Sequence, residues 1–159
     1  MKKFDDLMSA SNEIENISAS DAKEKLNDPN VQFIDVRDKE SFSKGTIGNA
    51  IHLDRGLLEF YLAEGSPLEN DMFKNNPDKE YVVFCGVGGQ GTLATKTMKD
   101  MGVKNVKNIT GGMKEWEKKF DEEQQQKEEE LVRKFYSDEI IEDESDKNTD
   151  IVENKTIDD

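Results

Sequence analysis

Apolar residues fall in short runs separated by polar stretches rich in turn formers. Tyr81, Val82, Val83 and Phe84 form a continuous run of four, the pattern of a strand buried on both faces in the middle of a parallel sheet. Val31, Phe33, Ile34 and Val36 mark a second strand over 31–36, and shorter apolar stretches at 14–17, 50–53 and 103–109 mark three more. Helical spacing fills the intervals. Phe4, Leu7 and Met8 predict a short leading helix over 3–10 whose apolar face closes one edge of the core. Ser18, three residues before Asp21, opens a helix over 19–26, since a serine side chain at that place accepts an otherwise unpaired N–H. Asp38 opens a short helix carrying Phe42, and Leu57, Leu58, Phe60, Tyr61 and Leu62 predict another; 65–79, with Pro67 and Pro77, reads as a polar connection. Leu93, Ala94, Thr97, Met98 and Met101 predict the inner face of a longer helix ended by Gly102, and Gly111-Gly112 turns into a helix with Trp116 and Phe120. Strands alternating with helices predict an α/β domain with a mainly parallel central sheet of about five strands flanked by helices.

Charge divides the chain. Its net charge is −14. Residues 121–159 hold 16 acidic and 5 basic residues, whereas 1–120 hold 20 and 17. The expected organisation is a domain over 1–120, a charged helical extension over 121–141 and an acidic, disordered tail over 142–159. Leu131, Val132, Phe135 and Tyr136 form one stripe in the extension, suited either to folding back on the domain or to meeting a partner helix. No basic surface argues for nucleic acid, no segment could span a bilayer, and the oligomeric state is left open. A single cysteine forbids an internal disulfide and suits the reducing cytoplasm.

That cysteine, Cys85, ends the 81–84 run. Gly86, Gly88, Gly89 and Gly91 follow within six residues, and then the longer helix begins. A lone cysteine ending a strand is by itself consistent with a simple core residue. The glycine density and the following helix favour chemistry: glycines allow N–H groups to turn inward, and the helix dipole favours a thiolate. Ligand sites in parallel sheets lie at the carboxyl ends of the strands, where Cys85 falls. No cysteine–histidine cluster could hold a metal, and the lone His52 reads as a partly buried strand residue.

VQFIDVRDKESFSKGTIGNAIHL (31–53) resembles the amino-terminal signature of the single-domain rhodanese-like sulfurtransferases, with Asp35, Arg37, Gly45, Ile47 and Ala50 at matching positions and Gly48-Asn49 in place of the usual Pro-Gly. RGLLEFYLAEGSP (55–67) is similar to an insertion in a bacterial subgroup, and NITGGMKEW (108–116) resembles the closing signature. The family's loop runs Cys-x-x-Gly-x-Arg followed by a small residue; here Gln90 stands for the arginine and Gly91 for the small residue. The resemblance implies a three-layer rhodanese-like domain and a sulfurtransferase. Cys85 would take sulfane sulfur from a donor such as thiosulfate as a persulfide and pass it to a thiol, cyanide or an acceptor protein. Gly86, Val87, Gly88, Gly89, Gln90 and Gly91 would bind the substrate through backbone N–H groups, with no cofactor. Asp35 and Arg37 would support the structure. Arg55, at the carboxyl end of the 50–53 strand, is expected to line the mouth and replace charge absent at Gln90. The alternative is a catalytically weak or inactive rhodanese-like binding module. Cysteine phosphatases, which share this type of fold, need arginine at the position held by Gly91.

Overall fold

A computed structural model describes residues 1–145, with side chains to residue 138. In the unit Met1–Lys119, five strands form one sheet: β1 (Glu15–Ile17), β2 (Val31–Asp35), β3 (Ile51–His52), β4 (Glu80–Phe84) and β5 (Val106–Ile109). Their order is β1-β5-β4-β2-β3, and every pairing is parallel. β4 is central because it has an apolar side chain for each face. Val82 and Phe84 join Phe33, Ile47 and Ile109 on one side. Tyr81 and Val83 join Ile34, Val36, Leu58 and Met98 on the other. The run that reads as doubly buried is therefore buried twice, with Tyr81 through Phe84 no more than 1% exposed.

Among the described residues seven α-helices surround or follow the sheet: α1 (Phe4–Met8), α2 (Ala19–Lys23), α3 (Lys39–Ser43), α4 (Leu58–Leu62), α5 (Met72–Asn75), α6 (Gly89–Asp100) and α7 (Gly112–Ser145). Ala19, Ala22 and Met113 cover the first face, and Leu58, Ala94 and Met98 the second, which makes three layers. Caps fall where the sequence places them. Ser18 Oγ accepts the Asp21 N–H at 3.0 Å, and Asp38 Oδ1 accepts the Ser41 N–H at 2.8 Å.

Two local expectations differ from the structure. The polar connection contains α5, started by Asn70 Oδ1 accepting the Met72 N–H at 3.0 Å. It serves Tyr81, whose ring lies 4.8 Å from that of Phe73 and whose hydroxyl donates to Asn76 O at 2.9 Å. A buried tyrosine requires such a partner. The second difference is the inner face of α6, made of Gly91, Thr92, Ala94, Thr95 and Met98; Met101 is 42% exposed. Small residues let the helix lie close to the sheet, so size outweighs hydrophobicity in choosing the face.

In the second unit, from Phe120 on, Leu131, Val132, Phe135 and Tyr136 are all exposed, and the last two rings meet edge to face at 5.9 Å. α7 runs to Ser145; the rest of the expected tail, 146–159, lies outside the described residues. Among the described residues no helix is long and apolar enough to cross a membrane.

Candidate active site

β4 delivers Cys85 to the carboxyl edge of the sheet with only 2% of its surface exposed. Three glycines fix the chain around it. Gly88 adopts φ +111°, a left-handed conformation open to glycine at little cost. Its N–H donates to Cys85 Sγ at 3.0 Å. It also sits immediately before α6, whose first turn is closed by the Thr92 N–H and hydroxyl donating to Gly88 O at 2.9 and 2.8 Å. Gly112, at φ +61°, admits the loop at the start of α7; a Cβ there would collide with Cys85 O. The N–H groups of Met113 and Lys114 donate to Cys85 O and Gly86 O at 2.8 and 3.0 Å. The carbonyls of the loop are thereby held toward the amino end of α7, while a backbone N–H is turned on the sulfur.

Gly91 is the third. A Cβ at this buried position would collide with Asn108 Oδ1. Asn108, on β5 and 2% exposed, brings its Nδ2 only to 3.4 Å of Asn16 Oδ1 and Thr92 Oγ1, and its buried Oδ1 has no hydrogen-bond partner among the described residues. The side chain occupies space that the missing Cβ leaves.

Above the sulfur lies a hollow of about 730 Å³. Cys85 through Gln90 line it together with Asn16, Thr92, Asn108 and Thr110, and α1 and the turn after it contribute Phe4, Met8 and Ser11. Val87 and Gln90 are exposed, Val87 by 71%. None of the described residues lining the hollow carries a charge.

Asp35 and Arg37 come together one strand away. Asp35 is fully buried; Arg37 Nε donates to its Oδ1 at 3.0 Å and Nη2 to its Oδ2 at 2.7 Å. Nη2 also donates to Gly45 O at 2.6 Å, and Thr46 Oγ1 to Asp35 Oδ2 at 2.9 Å. The hydrogen bonds to Asp35 hold the Arg37 guanidinium above its ordinary pKa despite the opposing effect of burial. His52, half-buried, stacks on Phe42 with ring centres 5.0 Å apart and places Nε2 2.7 Å from Arg37 O. Arg55 is not at the mouth. Its guanidinium pairs with Glu59 at 3.0 Å and Thr97 at 3.1 Å, because an acidic residue one turn along and a hydroxyl on α6 satisfy it outside the hollow.

Sequence reasoning did not reach the walls. Phe4 and Met8 read as an edge flap, and Asn108 as the first residue of the closing signature; neither reading places them over Cys85. Among the described residues no group of three or more His, Cys, Asp or Glu side chains is placed to hold a metal ion.

A strand-end cysteine under a glycine loop, in a five-stranded parallel sheet layered by helices, defines a class. Residues 18–119 match the model of the rhodanese-like domain, and the chain belongs to that family. It is 34% identical over 106 residues to the Putative sulfurtransferase YtwF of Bacillus subtilis, a match covering 66% of this chain and 92% of that one. It is 31% identical over 107 residues to the tRNA uridine(34) hydroxylase of Salmonella newport, covering 67% of this chain but 29% of the hydroxylase. Among solved structures, a Rhodopseudomonas palustris protein of unknown function, described as a Possible Tyrosine Phosphatase, superposes with a TM-score of 0.68 at 31% identity, covering 74% of this chain and 91% of that one.

Proposed function

We propose that the protein is a sulfurtransferase working through a persulfide on Cys85. The observation that carries the reading is the Gly88 N–H held 3.0 Å from Sγ at the head of a twelve-residue helix, where backbone donors and helix dipole stabilise negative charge on sulfur. The thiolate attacks the outer sulfur of a donor such as thiosulfate. The Sγ–S bond forms as the donor's S–S bond breaks, and the bonding pair leaves with sulfite. The outer sulfur of the Cys85 persulfide then passes to cyanide or a thiol, and the thiolate returns, which gives double-displacement kinetics. Gly86 through Gly91 present N–H groups to the bound sulfur, with the Gln90 amide at the exposed edge, and Asp35 and Arg37 brace the neighbouring strand end. No cofactor takes part. The domain proper comprises 1–120, and the reducing cytoplasm suits its single free thiol.

Mass spectrometry after incubation with thiosulfate tests this. Cys85 should gain the mass of one sulfur atom and lose it on addition of cyanide; a protein that gains none would overturn the reading. The charge-free hollow favours one second reading, a rhodanese-like binding module without turnover. The phosphatase description of the structural relative finds less support, because Gly91 occupies the place of the arginine that would grip a phosphate. The hydroxylase activity named for the longer relative is not carried over, since the chain spans under a third of it.

A further inference from the structure

We propose that the preferred sulfur carriers at this site are small thiols and hydropersulfides with an uncharged, apolar body, seated against Phe4, Met8 and Val87, rather than oxyanions. This rests on the persulfide chemistry proposed for Cys85 and specifies its substrates.

Charge is the first argument. Among the described residues none of the side chains lining the hollow is a cation, and Arg55 is engaged by Glu59 at 3.0 Å. Backbone N–H groups remain to hold one negative sulfur, but no side chain is present to neutralise a sulfonate beyond it. Shape is the second. About 730 Å³ falls in the range of organic-ligand pockets and is far more than cyanide or thiosulfate fills. Apolarity is the third. Phe4 and Val87 are each 71% exposed at the reactive sulfur, and Met8 lies between solvent and core. The polar side chains of the wall, Ser11, Asn16, Gln90, Thr92, Asn108 and Thr110, are neutral. Phe4 and Met8 also precede residue 18, where the match to the family model begins.

The chemistry balances without an oxidant. With a hydropersulfide R–S–SH, Sγ attacks the terminal sulfur, the Sγ–S bond forms, and the donor's S–S bond breaks. The electron pair stays on the inner sulfur, which takes the proton and leaves as R–SH. Discharge to a thiol is the reverse exchange with a different R group.

The test follows discharge of the Cys85 persulfide to butanethiol and to mercaptopropionate, thiols of similar acidity that differ in the charge they carry. Sulfur uptake is measured first by mass, with thiosulfate and with butyl hydropersulfide as donors. The expected result is a discharge constant about tenfold larger for butanethiol, since several buried methylenes are involved. The double variant Phe4→Ala, Met8→Ala should lose about fivefold of the butanethiol constant and distinctly less of the mercaptopropionate constant. Phe4→Lys should narrow or reverse the order by supplying a cation. Equal constants for the two thiols, or a butanethiol constant indifferent to both Phe4 changes, would overturn the substrate assignment alone. Failure of Cys85 to take sulfur from either donor would overturn the persulfide reading, and this assignment with it.

Discussion

β2 and β4 are parallel neighbours in register, Asp35 beside Phe84, and they reach the same edge of the sheet with opposite outcomes. β2 ends in charge that is entirely consumed. The Asp35 carboxylate takes Arg37 on both oxygens, with Thr46 and a backbone N–H besides, and Arg37 spends its remaining reach on Gly45 O. β4 ends in a cysteine, glycines and an open hollow. A charged cluster with every lone pair occupied is rigid and has nothing left for a ligand. The glycine loop has its Cys85 and Gly86 carbonyls tied to α7, yet it borders a space that can be filled. The strand end with charged side chains is filled from within, and the end without them opens on the hollow.

That contrast can be broken from either side. The largest effect is expected at Cys85→Ser, which should reduce thiocyanate formation to background while circular dichroism and the melting curve stay close to wild type, because an alcohol neither ionises at neutral pH nor holds sulfane sulfur. Retained turnover would remove Cys85 from the mechanism. Next is Asp35→Ala. It strands Arg37, whose side chain is 14% exposed, and should cost about 3–5 kcal/mol in urea unfolding. Replacing Arg37 by Met in the same chain should restore part of that, and a double variant as unstable as the sum of the two singles would argue against a closed pair.

Gly91→Ala comes third. The added methyl meets Asn108 Oδ1, and a loss of about 1–3 kcal/mol is expected, most of it recovered by Asn108→Ala in a double-mutant cycle. Additive losses would show that the two positions do not share one space. The smallest effect belongs to Gln90→Arg. A cation beside a partly exposed anion is worth about 1 kcal/mol, so the Michaelis constant for thiosulfate should fall about fivefold with little change in maximal rate, and salt should erode the gain. Rescue by orders of magnitude from an inactive wild type would favour the binding-module reading.

Much of this molecule is legible along the chain because it is decided locally. The doubly buried run of β4, the caps at Ser18 and Asp38, and the order of Cys85, glycines and helix each depend on neighbours a few residues away. What escaped depends on partners distant in sequence. The face of α6 is set by how closely Gly91 and Thr95 let it approach the sheet. Arg55 has two partners, Glu59 and Thr97, and the second lies 42 residues on. The walls over Cys85 come from α1 and β5, elements that no spacing rule connects to a cysteine loop.

The placement of β1 has a kinetic consequence. It pairs with β5 alone, and Asn16 and Asn108, opposite each other, are 92 residues apart. Closing so long a loop is slow relative to local contacts, so the strand of this sheet that is synthesised first is expected to be among the last to find its place. The segment that walls the hollow, Phe4 to Ser11, is carried by that same strand. During refolding or synthesis Cys85 should therefore pass through an interval in which its strand is formed but its cover is not. Pulsed alkylation would detect this as a thiol still reactive after β4 has become protected from hydrogen exchange; simultaneous protection of both would mean that the ends of the sheet close together with its centre.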